Sequence, residues 1–256
     1  MSGLNPHFKA ALQSALERYE TPFYAYDLAS VQARVGALRA AFPKAEVFFA
    51  MKANPRLGIL RRLLGWGVFL EAVSLGEVRR AYAAGFKRTE VLLNGPIKTP
   101  AALAELKELG VPLLGLDSLA DAERVARHLP GSHVLLRVNP DLPVVTHDHL
   151  ATGRGESKFG ILPQDVGRAL EIARAGGLDV LGLHVHLGSA LEHPEDFRAG
   201  YAVMERLYQE HGPFEVLNLG GGFGLGLDLA ALAPEALGLA ERLGVELWLE
   251  PGRYLV

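Results

Sequence analysis

At 256 residues, 49% of them hydrophobic and 21% charged, the sequence is long enough to bury a sizeable core, and its formal net charge of −3 excludes an electrostatic case for nucleic acid or an anionic membrane surface. The absence of cysteine excludes disulfides and thiolate metal sites within these residues. There is no charged and then apolar leader at the start and no apolar run long enough to span a bilayer, so a soluble, cytoplasmic protein is expected.

The opening stretch to about Glu20 carries Phe8, Leu12, Ala15, Leu16 and Tyr19 at helical spacing, and Phe23 to Asp27 reads as a short strand. From there helices and strands alternate. Helix is expected over Ala29–Phe42, strand over Glu46–Lys52, helix over Leu57–Leu64, strand over Val68–Val73 and helix over Gly76–Ala84. Strand Val91–Asn94, helix Pro100–Leu109, strand Pro112–Asp117, helix Ala120–His128 and strand Val134–Val138 follow. The remaining units are helix Pro163–Ala175, strand Val180–His186, helix Pro194–Tyr208, strand Val216–Leu219, helix Leu229–Leu243 and strand Glu246–Glu250.

About eight strands in near-continuous apolar runs suit a parallel sheet covered on both faces, as in a (β/α)8 TIM-type α/β barrel. A doubly wound open sheet competes, and periodicity does not separate the two. Candidate chemical groups at the C-terminal ends of several different strands favour the barrel. No linker rich in Ser, Pro or Gly divides residues 1–256, so one domain is expected. Asp141 to Ser157 is the one long irregular stretch and a candidate functional loop. The sequence stops after the strand-like segment before Tyr254-Leu255-Val256, and a following segment is expected.

The run Phe48-Phe49-Ala50-Met51-Lys52-Ala53-Asn54-Pro55 delivers a lysine to the end of a strand, which Asn54-Pro55 closes. A lysine in a buried strand needs a partner or a task, and desolvation favours the neutral amine that a Schiff base requires. Pyridoxal phosphate needs such an amine, donors for its phosphate, a partner for its pyridine nitrogen and a surface against its ring. Lys52 is the candidate amine. Gly220, Gly221 and Gly222 follow an apolar strand, where backbone N–H groups could approach a phosphate without Cβ obstruction, and a plain tight turn is the competing reading. Ser189 and Arg253 could add donors. Their ordinary alternatives are a turn residue and a surface ion pair.

Glu250 ends the last apolar strand and could keep the pyridine nitrogen protonated, with a buried salt bridge as the alternative. His184 and His186, two apart on a strand, share a face. The same spacing suits a metal, with His147 and His149 as further ligands, although no nearby acidic cluster completes the set. An imidazole packed on the cofactor ring is the favoured reading, and His186 lies closer to the strand end.

These motifs together resemble the pyridoxal-phosphate-dependent decarboxylases with an alanine-racemase-like barrel, from about Phe23 onward. The resemblance rests on Ala50-Met51-Lys52-Ala53-Asn54, on His184-Val185-His186-Leu187-Gly188-Ser189, on the glycine run and on Glu250-Pro251-Gly252-Arg253. Arg137-Val138-Asn139-Pro140, Thr152-Gly153 and Ser157-Lys158-Phe159-Gly160 look more like the family's diaminopimelate branch than its ornithine branch. The resemblance implies Lys52 as the Schiff-base lysine, His186 stacked on the ring and Glu250 as pyridine partner. It also implies Ser189, Gly220, Gly221, Gly222 and Arg253 on the phosphate side, with Arg137 and Glu71 in the network around the ring. The implied reaction removes carbon dioxide from a diamino acid, diaminopimelate giving lysine.

Three features depart from the family. Glu71 stands where an aspartate is usual, and Phe223-Gly224-Leu225-Gly226-Leu227 replaces a run toward a Pro-Tyr pair. The family's C-terminal β-rich domain, whose cysteine and tyrosine complete a partner's site in a homodimer, is missing from these residues. Residues 1–27 would contact that domain, the strand near Tyr24 joining its sheet. Other readings stay open: an ornithine, arginine or carboxynorspermidine type of decarboxylase, a non-catalytic single barrel that binds pyridoxal phosphate, and a metal-dependent barrel hydrolase. A racemase is disfavoured by the decarboxylase-type motifs.

Overall fold

Short, apolar, leucine- and valine-rich segments can be buried on both faces only if helices cover one side and a closed barrel encloses the other. That is the arrangement in the computed structural model of the protein, which describes residues 5–95, 98–111, 113–142 and 159–256. Helices α1 (Pro6–Arg18) and α2 (Leu28–Ala41) lead into β1 (Glu46–Ala50), α3 (Leu57–Gly65), β2 (Phe69–Ala72), α4 (Leu75–Ala84), β3 (Val91–Leu93), α5 (Pro100–Leu109) and β4 (Leu113–Leu116). Then come α6 (Leu119–His128), β5 (His133–Val138), α7 (Val166–Ala175), β6 (Asp179–Val185), α8 (Glu195–His211), β7 (Val216–Asn218), α9 (Leu229–Leu243) and β8 (Glu246–Leu249). Every strand pairs in parallel with its sequence neighbour, and β1 also pairs with β8, Val47 opposite Leu249. The barrel is therefore closed, and the open-sheet alternative falls.

Two cores follow from the two faces of the sheet. The larger lies between strands and helices. The smaller fills the barrel with one residue from each strand: Phe48, Phe69, Leu92, Leu113, Leu135, Leu181, Val216 and Trp248. Phe48 anchors this floor, its ring centroid 5.3 Å from Phe69 and 4.8 Å from Trp248. Each large apolar side chain of this kind contributes about 1.5–3 kcal/mol when fully buried.

Four local expectations change. Phe23–Asp27 forms no strand; Asp27 instead caps α2, its carboxylate accepting from the N–H groups of Ala29 and Ser30. β1 stops at Ala50, and Met51–Ala53 makes a 3₁₀ turn that carries Lys52. Pro163–Asp165 is likewise a 3₁₀ turn ahead of α7, with proline at its start. The apolar spacing of α1 does produce a helix, but none of its residues is buried, and Tyr19 just beyond it is 66% exposed.

Candidate active site

Side chains along a strand alternate between faces, so the residue two beyond a floor position points into the barrel one layer higher. Above Phe48, Phe69, Leu92, Leu113, Leu135, Val216 and Trp248 this rule gives Ala50, Glu71, Asn94, Gly115, Arg137, Asn218 and Glu250. In β6 the register shifts opposite Val134 and Leu135, and His184 follows the floor residue Leu181 by three. The floor is apolar and the layer above it is polar. That change of chemistry, at the C-terminal ends of the strands, creates the site.

Two adjoining cavities occupy this layer. One, of about 330 Å³, is lined by Glu71, Asn94, Arg137, Phe159 and His184, among others. Another, of about 390 Å³, is lined by Ser189, Gly222, Gly252 and Arg253, among others. Lys52, His186 and Glu250 line both and mark where they meet. A larger groove of about 840 Å³ lies at the other end of the barrel, beside Glu215, Gly244 and Glu246, and shares none of these groups.

Lys52 has the partner that its position demanded, but it is not buried. Its side chain is 51% exposed, and Nζ lies 3.1 Å from Oε2 of Glu71, which is 2% exposed. The 3₁₀ turn lifts the amine out of the strand and over the cavity mouth, so a carboxylate rather than desolvation sets its surroundings. Glu71 itself is raised above the usual carboxylate range, chiefly by burial, with the facing Lys52 opposing the shift and Glu250 adding to it.

Glu250 is buried across the cavity. Its Oε1 accepts from Asn94 Nδ2 at 3.0 Å and from Asn218 Nδ2 at 2.7 Å. Burial raises its carboxyl above the ordinary value, against the pull of Lys52 and these two amides. Oε2 lies 3.4 Å from His184 Nε2 without the geometry of a hydrogen bond, and neither ring nitrogen of His184 has a hydrogen-bond partner among the described residues. Burial, then Arg137 and Lys52, hold His184 well below its ordinary pKa, so the ring is neutral. His186 is depressed for the same reasons, and its Nδ1 faces the Gly221 N–H at 3.5 Å. Arg137 binds Asp117 Oδ1 at 3.3 Å and lies over the Phe159 ring, 5.0 Å from its centroid.

The glycine run also has a packing role. A Cβ on Gly220, Gly221 or Gly222 would strike the carbonyl oxygens of Val185, Glu250 and Gly188 respectively, so these glycines let neighbouring loops approach one another. Gly220, at φ +66°, already donates its N–H to Asn218 Oδ1 at 2.8 Å. Ser189 Oγ and Arg253 do come together, Arg253 donating at 3.5 Å. His147 and His149 fall outside the described residues, as does most of the stretch from Asp141 to Ser157. No group of three metal-ligating side chains occurs among the described residues.

The arrangement fits pyridoxal phosphate. A half-exposed amine overlooks the cavity, an imidazole lies beside it, and a hydroxyl and a guanidinium sit at one end with a buried carboxylate below. Buried polar atoms lacking hydrogen-bond partners among the described residues, His184 Nδ1 and Nε2 and Asn94 Oδ1, belong to residues lining the same cavity. Residues 28–256 match the family described as pyridoxal-dependent decarboxylase, pyridoxal binding domain.

The chain belongs to that family. Its cofactor is pyridoxal 5′-phosphate. This pyridoxal-binding barrel is 47% identical over 246 residues to a diaminopimelate decarboxylase of Deinococcus radiodurans, covering 96% of the chain and 64% of that relative. It is 30% identical to the diaminopimelate decarboxylase of Campylobacter jejuni, covering 94% and 64%. Among solved structures it superposes with a TM-score of 0.86 and 25% identity on diaminopimelate decarboxylase from Helicobacter pylori complexed with L-lysine, covering 96% of the chain and 66% of that protein. The lysine decarboxylase of Selenomonas ruminantium gives 0.85 and 28%, with the same coverage. The chain thus spans a little under two thirds of these proteins.

Asn94, Asp117 and Asn218 were not singled out from the sequence, although each sits in the polar layer or pairs with it. Counting back by two from Glu250 and across the paired strands would have reached Asn218, which lies opposite Trp248 in the sheet.

Proposed function

We propose that this chain is the cofactor-binding barrel of a diaminopimelate decarboxylase, which removes one carboxyl group of meso-diaminopimelate as carbon dioxide and leaves L-lysine, in the cytoplasm and as a homodimer. The observation that carries the reading is the Lys52–Glu71 pair at the mouth of the joined cavities, with the Glu250 carboxylate buried beneath it. The 47% identity to a diaminopimelate decarboxylase supports the substrate.

Bound pyridoxal phosphate supplies an electron sink for the carbon that loses its carboxyl group. The protein's part is to hold and orient it. Lys52 provides the amine for the cofactor aldehyde, and Glu71, 3.1 Å from Nζ, holds or takes the amine's proton as the lysine changes between free and bonded states. Glu250 would hold the pyridine nitrogen, where a carboxylate would keep that nitrogen protonated and the ring a better sink. His186 would offer a surface to the ring, and its lowered pKa keeps the imidazole uncharged there. Ser189, Arg253 and the loop Gly220–Gly222 would receive the phosphate, and Arg137, fixed by Asp117, would stand in the polar network at the other end.

The test is cofactor trapping joined to product analysis. Protein mixed with pyridoxal phosphate and reduced with borohydride should carry the pyridoxyl group on the Lys52 peptide, and Lys52→Ala should carry none. Carbon dioxide should be released from meso-diaminopimelate in preference to ornithine, arginine and lysine. An adduct on another lysine overturns the site; faster release from ornithine overturns the substrate; trapping without any release supports a binding-only barrel instead.

A further inference from the structure

Asn218 has no exposed surface and ends β7, between the floor and the glycine loop. Its side chain makes two hydrogen bonds in opposite senses. Nδ2 donates to Glu250 Oε1 at 2.7 Å, and Oδ1 accepts from the Gly220 N–H at 2.8 Å. The orientation of the amide is forced, because flipping it would set an NH₂ against an N–H and an oxygen against a carboxylate. The Glu250 N–H in turn donates to the Gly220 carbonyl at 2.7 Å, so Asn218, Gly220 and Glu250 form a closed ring of hydrogen bonds.

We infer that Asn218 is a positioning residue that ties the glycine loop on the phosphate side to the Glu250 carboxylate on the ring side, fixing the separation of the two ends of the cofactor site. The inference rests on the reading of Glu250 and the glycine loop given above. The tie also decides which carboxylate oxygen is available. Asn94 and Asn218 both donate to Oε1, which leaves Oε2 for a donor from the cavity. Gly115 makes room for Asn94, since a Cβ there would strike Asn94 Oδ1. The charged and titratable groups around Glu250 are Lys52 beyond β1, Glu71 on β2, Arg137 on β5, His184 on β6 and His186 just beyond it.

Asparagine is the one side chain of this size that serves both partners at neutral pH. An aspartate there would still accept from Gly220, but it would place a second carboxyl against Glu250. A single proton shared between the two would restore the missing hydrogen bond, at acid pH only. An isosteric leucine would lose both bonds at every pH.

The test measures equilibrium binding of pyridoxal phosphate to the full chain by absorbance titration, with circular dichroism checking that each variant is folded. Asn218→Leu is expected to weaken binding by about 10- to 100-fold across the pH range, the usual consequence of removing a group that orients a binding residue. Asn218→Asp is expected to lose as much at about pH 8 but to come within about threefold of the parent protein at about pH 6. A folded Asn218→Leu that binds like the parent, or an Asn218→Asp whose loss tracks the leucine variant at every pH, overturns the tie. If the parent chain itself binds no pyridoxal phosphate, the functional reading falls and the tie with it.

Discussion

His184 shows what a buried polar side chain costs when its partners are withheld. Neutral and without a hydrogen bond among the described residues, it is held well below its ordinary value of 6.5, as is His186, so the folded chain binds fewer protons there than the unfolded chain does. Their stabilising contribution is complete above 6.5 and is lost as the pH falls below it. Glu71 and Glu250 act with the opposite sign. Their folded values are raised above 4.5, so their contribution is complete below 4.5 and is lost as the pH rises through the folded values. His184→Leu should therefore flatten the acid side of the stability profile by up to about 1.4 kcal/mol per pH unit, one proton's worth. Urea melts at several values between pH 5 and 7 will show this; a variant with the parent's slope would mean that the imidazole takes up its proton in the folded state. Residues with a chemical signature of their own, Lys52, His186 and Glu250, could be read from the sequence because motif and strand end coincide. Asn94 and Asn218 could not, since an asparagine in an apolar run carries no mark of what it faces until the register is known. Nor could the half-exposure of Lys52, which depends on a 3₁₀ turn of three residues.

The helices are joined to the barrel by more than apolar stripes. From α8, Tyr208 reaches into the seam between β6 and β7, where its hydroxyl donates to the Val216 carbonyl and accepts from the Leu183 N–H. Gly182 leaves the space, because a Cβ there would strike the same Val216 carbonyl. Burial raises the phenol well above its ordinary value, which keeps the donor protonated. Tyr208→Phe should cost about 1–3 kcal/mol in a urea titration, the penalty for leaving buried backbone groups unpaired. A second joint holds the site's own loop: Lys98 Nζ binds Asp121 Oδ2 at 2.8 Å and donates to the Gly95 carbonyl, with both charged side chains 1% exposed. Lys98→Met leaves the buried Asp121 with only the part-exposed Arg124 at 3.5 Å as a charged partner and should destabilise by up to about 3–5 kcal/mol, whereas replacing both Lys98 and Asp121 by apolar residues should recover most of that. Equal losses in the single and double variants would deny the pairing its role. Helix and strand order could be predicted from periodicity, but these joints could not, because each depends on residues far apart in sequence.

Across the whole molecule, closure of the barrel rests on hydrogen bonds between β1 and β8, whose sequences lie at opposite ends of the repeat. Eight apolar strands are compatible with an open sheet as well, which is why alternation narrowed the fold to two and register decided between them. A closed barrel with its site across the strand ends couples cofactor binding to global stability. At a free concentration 100 times the dissociation constant, pyridoxal phosphate should add about 2.7 kcal/mol, or about 5–10 °C of melting temperature for a chain of this size. The shift should vanish in Lys52→Ala if the lysine anchors the cofactor, and its persistence there would point to the phosphate end as the main source of affinity.

The aromatic floor gives the barrel an optical consequence. The chain has two tryptophans, and Trp248 sits in the floor on β8, two residues before Glu250 and roughly 7 Å below it. A chromophore bound above that floor lies within easy range of energy transfer from the indole, while Trp66, at the end of α3 on the barrel's outside, emits from a different environment. In a Trp66→Phe protein, ultraviolet emission should fall as cofactor is added and recover as it is removed, so that the barrel reports on its own loading by light.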